Sequence, residues 1–599
     1  MKTWGKCLFF LFLFCLSYSF GFSADFSDDG VWQRIPEHTI QQTGIRSSNP
    51  RSYLTFQINR EILKGILKQA PLEFTSAATT KNISLSLPLP DGRFAKFRIE
   101  ESPIMEPALA AKYPQIKTYR GQGIDDRTMI VRLGWTSRGF HAFGLTTDRS
   151  FYIGIYQFGD NQNYVSYWGD KDSLPAKNFK CLVNDQFKSN FKAPFPAQPD
   201  NGETLRSLTT AIAATGEYTQ KFPPGTKASA LNDGIIPTTN SFNAILEREF
   251  SIRLILVGNE DQIIFTDGAT DPYTANDPFT MLGENQATID NKIGSANYDI
   301  GHVFGGVGGS GVAYLGVPCN SGFKAQGVST YSNPTGVTFL VDLVAHEFGH
   351  QFDATHSYNG TTGSCGPNRT GSTAWEPGSG STIMSYSGSC GAENIQSFSD
   401  PYYHVGSYDQ VNSFIPFIAC DDETSTGNHA PSVDAGPNYS IPQSTPFTLT
   451  ATGSDPDGDA LTYNWEELDL GTASPPLTDD GTRPIFRSWT PQTTPSRTFP
   501  RLQDILDGTL VLGEAWPTTD RTLNFRVTAR DNHSGAGGTT YDSMVVTVEN
   551  GAGPFIVTNP DTNVTWDGGT TETVTWNVAG TNSAPINTAN VKILLSTDS

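Results

Sequence analysis

The chain has 599 residues, 37% of them hydrophobic and 17% charged, with 58 glycines and 38 prolines. That length exceeds what one hydrophobic core holds, and the composition excludes a coiled coil or a disordered chain in favour of several turn-rich, largely β domains. A net charge of −21 gives nucleic acid and anionic membranes nothing to be attracted to, so neither is expected as a partner.

Residues 1–24 have the layout of a secretory signal peptide. Lys2 and Lys6 precede an apolar run from Cys7 to Leu16, and Gly21, Ser23 and Ala24 follow as small residues at the cut. The run is shorter than the ~20 residues a spanning helix needs, and no later stretch is long enough either. The expectation is a secreted, extracellular protein without membrane insertion, with surface attachment through a region beyond this sequence left open.

Residues 25–205 mix alternating runs such as Ile83 to Leu87 with turn signals such as Pro90-Asp91-Gly92, the pattern of a β-rich domain. Its last stretch, Lys192 to Glu203, is polar, carries prolines and reads as an exposed linker open to cleavage. Over 206–421 helical patterns (Ser241 to Glu249, Asp277 to Ile293, Gly336 to Phe352) alternate with apolar strands such as Ile252 to Val257, which predicts an α/β domain. An acidic Ser/Thr/Gly-rich linker follows at 422–431. Residues 432–550 show short alternating strands, for instance Leu523 to Val527 and Met544 to Val548, and predict a β-sandwich. Residues 551–599 read as part of another, which stops inside the strand pattern Val591 to Leu595; the chain is therefore expected to be a fragment of a longer one.

Chemistry concentrates in one place. In His346-Glu347-Phe348-Gly349-His350 the two histidines stand about one helical turn apart and share a face. Two imidazoles so placed can hold one Zn2+, and Glu347 projects beside them towards a water rather than the metal. His356 follows as a candidate third ligand, and three protein ligands leave the fourth position open, as catalytic rather than structural zinc requires. Only nine histidines occur in the chain, so three at this spacing weigh strongly against coincidence.

HEFGHQFDATH resembles the metzincin motif HExxHxxGxxH, and Thr382-Ile383-Met384-Ser385-Tyr386 resembles its Met-turn. The order of parts is most similar to the reprolysin-like (adamalysin-type) zinc endopeptidases. The resemblance implies a multidomain protein: an α/β metzincin catalytic domain, preceded by a β-rich inhibitory prodomain and followed by all-β Ig-like sandwich domains. It implies proteolysis of protein or peptide substrates, with Zn2+ lowering the pKa of a water towards ~7 and Glu347 acting as general base. Met384 would form the floor under the histidines, and Gly311 to Gly316 would be the edge strand that pairs with substrate. Where the family has a glycine that turns the chain, this sequence has Asp353, one of the few residues that tolerate the left-handed region, at roughly 1 kcal/mol relative to Gly. Tyr386 stands where the astacin and serralysin branches carry a tyrosine that binds zinc or stabilises the transition state.

Of seven cysteines, Cys7 and Cys15 fall in the leader. Of the others, Cys319, Cys365, Cys390 and Cys420 permit three connectivities; the resemblance implies Cys319–Cys420 and Cys365–Cys390. Cys181 is then left over, and by the same resemblance is a latch that occupies the zinc's open position in the latent zymogen. Asp455, Asp457 and Asp459 form an acidic turn like that of PKD-type or cadherin-like sandwiches, a candidate Ca2+ loop but not an EF-hand, because Ala460 replaces the required glycine. Glu376, Asp400 and His404 read as structural. The rival from another class is an adhesive surface protein with an inert protease domain, whose sandwiches contact extracellular matrix or polysaccharide; Glu347 speaks against it. A metal-dependent hydrolase of non-peptide substrates is disfavoured by the Met-turn and prodomain.

Overall fold

Alternating side chains that are apolar on both faces build the first part of the molecule. In the computed structural model, which describes residues 25–170, 172–174, 179–183, 201–562 and 564–593, nine strands between Trp32 and Trp168 pair antiparallel in one sheet. The leader read at 1–24, most of the linker Lys192 to Glu203 and the end of the Val591 to Leu595 pattern lie outside the described residues. Every residue of the strand Ile130–Thr136 is buried. Successive residues of a strand point to opposite faces, and here Val131 and Leu133 enter one core with Phe56, Leu87, Phe97 and Ile153, while Ile130 enters a second.

That second core belongs to a mixed sheet with the order Lys180–Cys181, Gly309–Ala313, Gly327–Tyr331, Ile300–Gly305, Thr204–Ala214, Ile252–Leu256. Gly309–Ala313 runs parallel to Lys180–Cys181 and antiparallel to Gly327–Tyr331; the strands from Gly327–Tyr331 to Ile252–Leu256 are mutually parallel. Asp422–Ser425, whose composition reads as linker, instead pairs antiparallel with the start of Thr204–Ala214. Arg206 explains it: the guanidinium pairs with both Asp421 and Glu423, so the acidic residues are held against the sheet.

Helices cover the sheet. Pro278–Lys292 is opened by Asp277, whose carboxylate accepts the Thr280 N–H. The helix expected from Ser241 begins earlier, at a capping box of Thr226 and Ser229, and reaches Ile236–Phe250 through a π turn at Leu231–Ile235. Gly234 and Pro237 at that turn interrupt the apolar period and hide the start from a reading of pattern. A second π turn, Leu340–Ala345, joins Gly336–Phe339 to His346–Gln351 in one continuous helix.

Residues 432–549 form two β layers. Tyr439–Pro442, Thr539–Glu549, Arg521–Arg530 and Thr462–Glu467 make a four-stranded sheet. Its Trp465, Phe525, Val527 and Met544 pack on Leu449 and Phe499 of the opposing strand pair. This unit is docked by buried charge: Arg530 reaches both oxygens of Glu249 at 3.0 and 2.8 Å. The first sheet is docked likewise, through the alternating chain Arg132–Glu247–Arg253–Glu73–Arg120–Glu100. Disulfides join Cys319 to Cys420 and Cys365 to Cys390.

Candidate metal centre

The helix that ends at Gln351 delivers His346 and His350 from one face, and Asp353 sends the chain back. Asp353 adopts φ +76°, the left-handed conformation that the glycine expected there would take most easily. Its N–H and that of Ala354 close on the carbonyls of His350 and Gly349, and the turn returns His356 to the same point.

Each imidazole is fixed by a main-chain acceptor. Nδ1 of His346 donates to the Ile383 carbonyl, Nδ1 of His350 to Ala354 and Nδ1 of His356 to Asn368, all at 2.7 Å. A carbonyl only accepts, so Nδ1 carries the proton in each neutral ring and Nε2 presents a lone pair. Burial holds two of the rings neutral: it pushes His356 down to about 4, and His350 is driven well below the ordinary range by burial and then by its histidine neighbours. Nε2 of His350 lies 3.2 Å from Nε2 of His356. Two lone pairs facing each other at that distance call for a cation between them, and tetrahedral Zn2+ ligation spaces imidazole nitrogens roughly 3.3 Å apart. The residues fit zinc.

Cys181 completes the set. Its buried Sγ lies 3.4 Å from His350 Nε2, and the four donor atoms of Cys181, His346, His350 and His356 all lie within 4.8 Å of one another. It is the free cysteine among the described residues. Lys180–Cys181 pairs parallel with the edge strand Gly309–Ala313, Cys181 opposite Gly311, and Leu182 N–H donates to the Gly311 carbonyl at 2.8 Å. The Tyr386 hydroxyl donates to the Cys181 carbonyl at 2.7 Å; in this arrangement the tyrosine holds main chain rather than joining the donor set.

Glu347 is fully buried beside that thiol. A Cβ at Gly311 would collide with its Oε1, so the edge strand crosses directly over the carboxyl and must be bare there. Burial raises the Glu347 pKa well above the ordinary carboxylate value, partly offset by hydrogen bonding to Cys181. Met384 lies beneath the helix, where a Cβ at Gly349 would collide with its Sδ. The carbonyls of Ile383, Ala354 and Asn368 that orient the histidines had no signal in the sequence, because main-chain acceptors carry none.

The C-terminal acidic turn is otherwise engaged. Asp455 accepts the N–H groups of Asp457 and Asp459, Asp457 meets His429, and Asp459 meets His533. Among the described residues the converging donor set is Cys181 with the three histidines, and the acidic turn does not form one.

Residues 204–413 match the family model of the M12B metallopeptidases, reprolysin-like. The segment is a reprolysin-like zinc metallopeptidase domain. No curated protein matches the chain. The metallopeptidase match spans the histidine helix, the returning turn and Met384, and it leaves the adhesive alternative without a supporting observation. Among the described residues no helix is long and apolar enough to cross a membrane.

Proposed function

We propose that the chain is a secreted zinc endopeptidase made as a zymogen, with His346, His350 and His356 as ligands and Cys181 as the fourth in the latent form. The observation that carries this reading is the convergence of Cys181 Sγ with the histidine Nε2 atoms on a strand that covers Glu347. A thiolate is a strong zinc ligand, and the parallel pairing of Lys180–Cys181 with Gly309–Ala313 occupies the edge a substrate strand would use. Removal of residues 25–205 uncovers both at once.

Zn2+ held by the three imidazoles supplies a Lewis acid that makes a water acidic at neutral pH and polarises a carbonyl. Glu347 then takes the water's proton at a carboxylate oxygen, from the place the Cys181 thiol now fills, and passes it to the departing amine. The buried, apolar surroundings of Glu347 raise its basicity for that task. Tyr386, released from the Cys181 carbonyl, can donate the same hydroxyl to the oxygen of a scissile carbonyl. The main-chain groups of Gly309–Ala313 hold the substrate extended. The disulfides and leader agree with an oxidising, extracellular setting.

The test is hydrolysis of an unfolded protein by the matured enzyme, with and without a zinc chelator, beside Glu347→Ala. Loss of activity in both arms is expected. A matured wild type that retains zinc yet cleaves nothing would overturn the reading.

A further inference from the structure

Between Gln351 and Val405 the described chain contains short 3-10 turns, at Gly366–Asn368, Gly371–Thr373 and Gly391–Glu393, and one isolated parallel bridge, Tyr358 with Glu376. This irregular stretch carries His356, Met384 and Tyr386, and the carbonyls of Ile383 and Asn368 that orient two of the histidines. An irregular buried segment cannot satisfy its own polar groups through a ladder, so its geometry is set by whatever supplies the missing partners.

Part of that support is a carboxylate. Glu376, fully buried, accepts from the hydroxyls of Ser357 and Thr382 at 2.6 and 2.5 Å and from the Ser381 N–H at 2.7 Å. It thereby ties the neighbour of His356 to the residues just before Ile383 and Met384. The remaining support comes from the C-terminal β layers, by two routes. Ser381 Oγ donates to the Ser488 carbonyl at 3.0 Å, and the Ser488 hydroxyl in turn donates to Glu466 at 2.7 Å. On the other side Asn359 Nδ2 donates to the Thr472 carbonyl at 2.9 Å, and Ser474 N–H to the Asn359 carbonyl at 3.2 Å. Arg369, adjacent to Asn368, binds Asn359 Oδ1 at 2.9 and 2.7 Å and the Gly471 carbonyl at 3.1 Å.

We propose that the C-terminal β unit is a working part of the metal centre: its 471–474 loop and Ser488 hold the segment 355–384, and so position His356 and the partners of His346 for zinc. Arg369 and Glu376 are positioning residues in this scheme. The proposal rests on the zinc reading given above. It separates this β unit from an appended adhesive module, which would leave zinc affinity untouched when loosened.

The loop can be loosened without touching the protease domain. Asp480 braces it, accepting from the Thr472 hydroxyl, from the N–H groups of Thr482 and Arg483 at 3.0 Å each, and from Arg483 Nη2 at 2.9 Å. It lies outside the apolar core of the unit. The experiment compares full-length wild type, Asp480→Ala and Arg369→Ala, loaded with Zn2+ and mixed with excess chelator, and records the visible bands of the Co2+ forms. Loss of an outer partner of a metal ligand weakens binding by about 10- to 100-fold. Arg369 and Asp480 stand further out than the Asn368 carbonyl that His356 binds, so zinc release up to ~10-fold faster and shifted Co2+ bands are expected in both variants. Asp480→Asn, which keeps an acceptor oxygen, should restore most of the wild-type rate. Unchanged release and unchanged bands in both variants would overturn this proposal alone. A wild type that fails to retain zinc would overturn the metal-centre reading itself.

Discussion

Tyr386→Phe should act in opposite directions on the precursor and on the matured enzyme. In the precursor the substitution removes the hydroxyl that the Cys181 carbonyl accepts at 2.7 Å, and leaves that oxygen only a marginal contact with Asn368 Nδ2 at 3.5 Å. A buried acceptor stripped of its donor costs about 1–3 kcal/mol, which is a factor of roughly 5–150 in the ratio of closed to open latch. The assay is the rate at which a small thiol reagent modifies Cys181 in the zinc-loaded full chain, followed by the mass of the peptide that carries it. When closing outpaces labelling, that rate reports the open population, so it should rise by the same factor. Under the proposed mechanism the lost hydroxyl also removes an oxyanion donor from the matured enzyme, and kcat should fall about 100-fold. A thiol rate identical to wild type would refute the structural argument, since it would mean that the hydroxyl contributes nothing to holding the strand.

Asp353→Gly should raise the urea midpoint by an amount equivalent to about 1 kcal/mol, because φ +76° costs an L residue roughly that much relative to glycine; Asp353→Val should lower it and loosen zinc. Gly349→Ala drives a methyl into Met384 Sδ and should destabilise by about 1–3 kcal/mol, an effect that thermal melts should find smaller in a Met384→Ala background. Arg132→Met leaves Glu247 with Arg253 as its remaining partner in the buried chain and should cost about 3 kcal/mol in urea titrations of the full chain. Cys181→Ser removes the thiol but leaves the strand at 180–181 on Gly309–Ala313, so the uncleaved precursor should gain measurable but partial activity on an unfolded protein relative to the matured enzyme.

The local part of the site was legible because it is written in spacing. His346, Glu347 and His350 share a helical face whatever surrounds them, and Asp353 could be assigned its turn because few residues accept a positive φ. What spacing does not encode is long-range pairing. Nothing near Cys181 announces that Lys180–Cys181 adds to the strand Gly309–Ala313, because two residues of strand have no period. The acidic stretch at Asp421 to Ser425 looked like linker since its partner, Arg206, is far away in sequence. Glu376 read as merely structural, although it joins the neighbour of His356 to the Met384 turn, because a buried carboxylate that binds hydroxyls and N–H groups leaves no motif. In the fold, alternation revealed the β character at both ends, but not that Ile130–Thr136 faces two cores at once.

The π turn at Leu340–Ala345 makes the histidine helix a device with a fixed phase. Each α-helical residue advances the direction of its side chain by about 100°, and a π turn absorbs one residue more than an α turn does. Upstream, Val337 and Phe339 are seated in the core; downstream, His346 is tied to Ile383. Straightening the turn to plain α-helix at its present length would swing one end against the other by about that angle. Either the apolar side chains or the imidazoles would then face the wrong way. Deleting one of its residues, by contrast, would leave the two ends in phase. The six residues thus keep both ends seated only while the π geometry persists, and a one-residue deletion there should be easier to tolerate than a one-residue insertion.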